Sequence, residues 1–171
     1  MAINEVGRLA GYPPEVGGAL WMMQDTRERT LDSLGDLTDA EVDAAAEGLH
    51  NTIGATLYHI AAIEADWLYA DILQIDFPDW TAEWFPYDVR EEDGMLTPVT
   101  GFSLQNHIAR LATVRAHFLK DLVALSTSEY IRSNDDADNP STPEWVLHHL
   151  RQHEAEHRGQ IQSIRTALRS L

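Results

Sequence analysis

The sequence contains no cysteine among its 171 residues, which excludes disulfide bonds, thiolate metal ligands and a cysteine nucleophile. A chain without cysteine fits a reducing compartment. No stretch approaches the 18 continuous apolar residues of a membrane-spanning helix, and the first eight residues lack the apolar run of a signal peptide. We therefore expect a cytoplasmic protein with no membrane partner.

Positive charge is scarce as well. The chain has 12 Lys and Arg residues against 28 Asp and Glu residues, a formal net charge of −16. A surface this acidic repels phosphate backbones and anionic membranes, so nucleic acid is not an expected partner. The length and the hydrophobic fraction of 44% are typical of a globular chain with a substantial core. We predict a single domain over residues 1–171.

The alternating apolar and polar residues of a half-buried strand are missing, and apolar residues recur at helical spacing instead. This periodicity predicts long helices over 14–34, 52–75 and 103–125, and a fourth that runs from Ser141 or Thr142 almost to the C-terminus. Thr38 and Glu41 form a capping-box pattern that adds a short helix, and Ser141 with Glu144 forms another. The predicted fold is an all-α, up-and-down four-helix bundle.

A long loop is predicted between the second and third helices, over residues 76–101. It combines the aromatic-rich stretch Phe77–Tyr87 with an acidic run at 90–94. A loop of this length in a compact domain is often functional, so its aromatics either line a pocket mouth or cap one end of the bundle. Exposed apolar surface in Phe77–Tyr87 also leads us to expect a homodimer.

His153 and His157 lie four residues apart in the fourth helix and therefore share one of its faces. A heptad arrangement places each of them in an inward-facing row, where two imidazoles without partners would be costly to bury. A shared metal ion removes that cost. The alternative is that one histidine is a hydrogen-bonded core residue and the other is solvated.

The same letters, His-Glu-x-x-His, also match the zinc-protease signature, in which Glu154 would act as the general base. Common zinc proteases take their third ligand from further along the chain. Only 14 residues follow His157, and none is His, Asp, Glu or Cys. A peptidase is therefore disfavoured, and any third ligand comes from upstream.

The earlier helices offer further polar residues near their apolar faces. His59 lies at the margin of the apolar arc of the second helix, either as a surface or partner-bonded histidine or as the third ligand. Glu64 falls inside that arc, where it pairs with a cation, orients a metal ligand or reaches out to solvent. His107 and His117 fall off the apolar stripe of the third helix and are expected to be solvated.

Two segments taken together, Leu57–Trp67 and Trp145–Ile161, resemble the DinB/YfiT superfamily. The likeness covers most of the chain in helix order and is strongest in the run from His153 to Gln160. It implies a four-helix bundle with one metal held by His59, His153 and His157. Branches of this superfamily use bacillithiol or mycothiol in S-transfer or isomerisation, and other members are described as metal-dependent hydrolases.

Three imidazoles leave an open coordination position, which is typical of a catalytic site. A metal there activates either water or an exogenous thiol. Glu154 and Glu64 are the predicted catalytic residues, in proton transfer or in orienting the ligands. Zn²⁺ and Ni²⁺ are the expected metals, although three imidazoles also suit Cu²⁺ and Fe²⁺.

The functional prediction is a metalloenzyme that activates a low-molecular-weight thiol for S-transfer to a small-molecule substrate. Two alternatives stay open. One is a metal-dependent hydrolase that uses metal-bound water, and the other is a non-enzymatic metal-binding bundle that acts through a partner.

Overall fold

The computed structural model describes residues 5–136, 138 and 140–170. A π-helical turn, Trp67–Ile72, directly follows the third α-helix, and a 3₁₀ turn, Leu122–Ala124, follows the fifth. No β-strand occurs in these residues, which contain one isolated bridge between Arg90 and Leu96. The predicted all-α fold is confirmed. The α-helices in this part of the chain are α1 (Pro14–Leu34), α2 (Asp39–Val42), α3 (Ile53–Asp66), α4 (Trp80–Trp84), α5 (Leu104–Asp121), α6 (Thr127–Tyr130) and α7 (Pro143–Leu168).

The four long helices α1, α3, α5 and α7 form the bundle. Helix α1 packs along α7, and α3 packs against both α5 and α7. Apolar side chains from these faces fill two clusters, one around Leu57 and Leu111 and the other around Leu20 and Phe118. Burial of these side chains is the main force that holds the helices together. None of the described helices is long and apolar enough to cross a membrane.

Side-chain caps fix where three of the long helices begin. Thr52, Ser103 and Thr142 each accept a hydrogen bond from the backbone N–H three residues further on. Such a cap satisfies one of the N–H groups that the first turn of a helix leaves without a partner. The predicted capping box of Thr38 and Glu41 is present at the start of α2.

The start of α7 differs from the prediction in one detail. Thr142 caps the helix, and the predicted capping box of Ser141 and Glu144 does not form. Ser141 instead exchanges hydrogen bonds with Asn134, whose Nδ2 donates to its Oγ and whose Oδ1 accepts from its backbone N–H. These bonds join the two ends of the loop between Asn134 and Ser141, and the helix begins at Pro143.

The inward face of α7 also differs from the predicted one. Leu147, Glu154 and Ile161 form a buried row seven residues apart, whereas His153 and His157 are half-buried and lie at the margin. Leu150 and Ile164 are buried at the positions that the heptad gave them, but the second inward row lies one residue further along the helix than the row assigned to His153. The two histidines consequently border the core and face the groove between α7 and α3.

The second long helix is shorter than predicted. Regular α-helix ends at Asp66, and the π-helical turn continues the chain to Ile72. The segment that follows includes α4, whose Trp80 ring stacks on His117 with centroids 4.3 Å apart. His117 is therefore only partly solvated, since this indole covers one face of its imidazole.

The prediction for His107 is wrong, because this residue is 0% exposed. Its Nδ1 accepts a hydrogen bond from Nη1 of Arg110 at 3.0 Å, and the ring of Phe102 packs edge-on against it. The chain that follows α4 returns over this face of α5 and excludes water from it. Helical spacing within α5 could not predict that another segment of the chain would cover His107.

Candidate metal centre

Three histidine side chains meet in the groove between α3 and α7. Nε2 of His153 lies 3.0 Å from Nε2 of His59 and 3.0 Å from Nε2 of His157. The ligand atoms that the three rings offer all lie within 4.8 Å of one another. The structure thus brings together the three residues predicted as metal ligands, and the cluster can hold a metal ion.

The positions of the three Nε2 atoms suit a shared metal ion better than hydrogen bonds between the rings. A neutral imidazole nitrogen carries either one N–H or one lone pair, so Nε2 of His153 satisfies at most one of its two neighbours. Ligand nitrogens around tetrahedral zinc are about 3.3 Å apart, given bonds of about 2.0–2.1 Å. The observed separation of 3.0 Å is close to that value. A shared cation would use all three lone pairs at once.

The state of the rings also suits ligation. Burial, then the charge of His157 and then that of Arg90 lower the pKa of His59 to about 4. Burial, followed by the neighbouring histidines and Arg90, lowers the pKa of His153 to about 3. Burial likewise lowers the pKa of His157, although Gln160 and Glu156 oppose the shift. All three rings are therefore neutral at pH 7, and the neutral imidazole is the form that binds metals.

One ring nitrogen at the site lacks the usual support. Nδ1 of His59 is buried and has no hydrogen-bond partner among the described residues. Metal-binding histidines usually donate their second N–H to a carboxylate, a carbonyl or water. The orientation of the His59 ring therefore depends on how its neighbours pack around it, since the residue is 1% exposed.

The segment after α4 is anchored beside the site by Tyr58, the neighbour of His59. The Tyr58 hydroxyl donates to the backbone carbonyl of Tyr87 at 2.6 Å and accepts from the Tyr87 N–H at 3.1 Å. Phe85 packs edge-on against the Tyr58 ring, with centroids 5.5 Å apart. These contacts hold the chain around residues 85–102 against α3, next to the histidines.

Arg90 belongs to that anchored segment. Its positive charge lowers the pKa of His59, His153 and His157, although in each case burial is the larger cause. Its Nη1 donates to the carbonyl of Gly94, and no carboxylate of the described residues forms an ion pair with it. No motif in the sequence indicated a role for this residue.

An aromatic row leads along α7 to the site. Trp145 stacks on His149 with centroids 4.9 Å apart and planes 4° from parallel, and His149 in turn contacts the ring of His153. Trp67, the first residue of the π-helical turn, packs against both Trp145 and His149. The regular spacing of four residues from Trp145 to His157 was the signal by which the sequence could have revealed this row.

Glu64 and Glu154, the predicted catalytic carboxylates, lie in a buried ion network with two arginines. Arg27 donates from Nη2 to Glu64 at 2.6 Å and from Nε to Glu154 at 2.7 Å. Arg115 donates from Nε to Glu64 at 2.5 Å and reaches Glu154 at 3.4 Å. Each of the four long helices contributes one residue, and the formal charges cancel.

The four members of this network are 2–5% exposed. Burial alone would raise the pKa of Glu64, but Arg115 and Arg27 outweigh it and hold that pKa below its ordinary value. Of the three possibilities for Glu64, pairing with a cation is the one that the structure shows. Both carboxylates are held by arginines, and their part in catalysis stays a prediction.

An all-α bundle with three imidazoles converging between two of its helices defines a class of helical proteins that can hold a metal ion. The sequence model of the DinB superfamily matches residues 22–161, and the chain belongs to that superfamily. A similar solved structure is the crystal structure of the conserved protein of locus from Enterococcus faecalis, with a TM-score of 0.70 and 18% identity. The match covers 90% of this chain and 96% of that chain, and it concerns the fold alone. No curated protein sequence matches the chain.

Proposed function

We propose that this protein is a metal-dependent enzyme that activates a low-molecular-weight thiol for transfer to a small-molecule substrate. The observation that carries the proposal is the convergence of three neutral imidazole nitrogens in the groove between α3 and α7. His59, His153 and His157 would hold one divalent cation, with Zn²⁺ or Ni²⁺ as the proposed metal. Such a cation supplies a Lewis acid that favours the thiolate form of a thiol at neutral pH.

The chain has no thiol of its own, so a sulfur nucleophile must come from a cosubstrate. Arg90 places a positive charge near the three rings, while the protein as a whole carries a net charge of −16. Asp88, Glu91, Glu92 and Asp93 lie in the same segment, so Arg90 favours an anion only at short range, where the anion contacts the guanidinium. This arrangement suits a cosubstrate or substrate that carries a carboxylate or reacts as a thiolate.

Glu154 and Glu64 are proposed to orient the ligand-bearing helices. Glu154 lies between the two histidines of α7, and Glu64 lies five residues after His59 in α3. Their ion pairs with Arg27 and Arg115 fix how α3 and α7 face each other. Because the carboxylate oxygens already accept hydrogen bonds from arginines, this role fits them better than proton transfer does.

A cobalt-substituted sample tests the proposal, since thiolate-to-cobalt charge transfer absorbs in the near ultraviolet. The chain contains no cysteine, so any such band reports the added thiol. We expect the band to appear on addition of a small cellular thiol and to be absent in His153→Ala. The matched control is His50→Ala, which removes an exposed histidine and should leave the band unchanged.

The same experiment distinguishes the alternative functions. An unchanged cobalt spectrum at saturating thiol, together with hydrolysis of a test ester, would replace thiol transfer with the hydrolase. An unchanged spectrum without hydrolysis would favour a non-enzymatic metal-binding bundle. Arg90→Gln should raise several-fold the thiol concentration that gives half of the band, because a charge that attracts the anion is lost. Metal content should stay the same at neutral pH, because burial remains the larger cause of the lowered histidine pKa values.

A further inference from the structure

A cavity of about 550 Å³ lies on the other side of Trp145, between α1, α6 and α7. The three-histidine cluster does not line it. Its wall is largely apolar, with Ala19 and Met22 from α1 and Leu147 from α7. Cavities of this volume with apolar walls and a few convergent polar groups are typical of small-molecule sites.

Tyr130 and Arg151 are two of the residues that offer hydrogen-bond donors to this cavity. Tyr130 is 4% exposed, and its hydroxyl has no hydrogen-bond partner among the described residues. The hydrogen-bond partners of Arg151 include no carboxylate: its Nη1 lies 3.0 Å from the sulfur of Met22 and its Nη2 lies 3.1 Å from Nδ1 of His148. No carboxylate in the described part of the chain forms an ion pair with Arg151.

The charges that line the cavity differ between its two ends. Glu144 lines it seven residues before Arg151, about 10 Å away along the axis of α7. Burial, followed by the charges of Glu144 and Glu15, raises the pKa of Tyr130 to about 12, so this phenol remains a neutral donor. An anionic group is therefore favoured at the Arg151 end and disfavoured at the Tyr130 end.

We propose that this cavity binds a monocarboxylate whose apolar chain spans roughly the 10 Å between residues 144 and 151, with its carboxylate on Arg151 and its far end near Tyr130. The walls of Ala19, Met22 and Leu147 cover the apolar body. A hydroxyl group at the far end of the ligand would accept from the Tyr130 O–H. The site is separate from the metal centre and does not depend on the proposed enzymatic function.

Octanoate is the probe, and 1-octanol is its uncharged counterpart. Calorimetric titration of the full chain should show octanoate binding at least about tenfold more tightly than 1-octanol, because a hydrogen bond to a charged group contributes about 1.5–3 kcal/mol. The same affinities are expected after removal of metal with a chelator. The chain has five tryptophans, and the Trp145 indole N–H signal, assigned with Trp145→Phe, should shift on binding.

Three variants locate the ligand. Arg151→Gln should remove the tenfold preference for octanoate, whereas Arg29→Gln, which removes an exposed arginine of α1, should retain it. Ala19→Phe fills the cavity and should weaken both ligands at least tenfold. Tyr130→Phe should weaken 8-hydroxyoctanoate several-fold and leave octanoate unchanged. Circular dichroism confirms that each variant is folded.

Several results would overturn the proposal. Absence of octanoate binding at millimolar concentration is one. An unchanged preference in Arg151→Gln is another, and a shift confined to indole signals other than that of Trp145 is a third. If Ala19→Phe does not fold, Arg151→Gln and the indole signal still decide the question.

Discussion

Nε of Arg27 in α1 donates to Glu154 of α7 across 2.7 Å in the interior of the bundle, where both side chains are buried. Removing one partner of a buried ion pair leaves an uncompensated charge that cannot reach water. Such a loss costs about 3–5 kcal/mol of stability. The buried network therefore requires a negatively charged side chain at residue 154.

We expect Glu154→Gln to lower the free energy of unfolding by about 3 kcal/mol, because the network then carries a net positive charge. Urea denaturation of metal-free protein measures the loss. The control is Glu156→Gln, since Glu156 is exposed on the same helix and should change the free energy little. Equal effects of the two variants would show that the buried pairs contribute no special stability.

Metal content tests the three histidines one at a time. Wild-type protein should bind one divalent ion per chain, and His59→Ala, His153→Ala and His157→Ala should each reduce affinity by at least about tenfold, since each removes one of three ligands. Plasma emission on protein dialysed against trace metal gives the stoichiometry. If His59→Ala retains full stoichiometry and affinity, His59 is not a ligand and α3 does not contribute to the metal site.

The stability of the protein should depend on the protonation of His107. Burial, followed by the charge of Arg110, lowers the pKa of His107 to about 4 from its ordinary 6.5. The unfolded chain therefore binds more protons than the folded chain between those values, and unfolding is favoured as pH falls. The contribution of the neutral His107 ring to the free energy of unfolding is fully present above pH 6.5 and is lost progressively towards pH 4. It amounts to about 3 kcal/mol in total.

His107→Gln isolates this contribution, because glutamine can accept from Arg110 but does not titrate. Urea denaturation at several pH values between 4 and 7.5 should show a shallower loss of stability in the variant than in the wild type. Both proteins should be free of metal, so that the other histidines contribute equally. Parallel pH profiles would contradict the assignment.

Dimerisation is the fourth prediction. Ile75, Phe77 and Tyr87 are 48–54% exposed. Because apolar surface of this kind is often covered by a partner, we expect light scattering at micromolar protein to give twice the 19.2 kDa mass of one chain. Phe77→Ser combined with Tyr87→Ser should give the monomer mass. A wild-type mass of 19.2 kDa would contradict the prediction.

The sequence predicted the bundle well because its signals are local. Helical periodicity defined α1 from Pro14 to Leu34, and the capping pattern at Thr38 defined the start of α2. The histidine cluster could be predicted as well, because helical spacing paired His153 with His157 and the superfamily resemblance added His59. These features depend on residues close in the chain or on a motif with few alternatives.

The remaining features depend on contacts between distant segments. The partners of Glu64 come from α1 and α5, and nothing in the residues around Glu64 shows that Arg27 and Arg115 lie within hydrogen-bond distance. The burial of His107 and the position of Arg90 near the histidines both depend on the path of residues 85–102. That path is set by Tyr58 and its neighbours, through contacts with no periodic signature.

The π-helical turn over Trp67–Ile72 has a consequence for how this protein could diverge. A π turn holds one residue more than an α-helical turn, so it is the point where α3 can gain or lose a residue most easily. Deleting one residue there would restore a regular α-helical turn and keep the chain beyond it close to its present orientation, while His59 and Glu64, which precede the turn, keep their places. Insertions and deletions at this turn therefore offer descendants of the chain a way to move the ring at Trp67, and so reshape the surroundings of His149, without altering the three histidines.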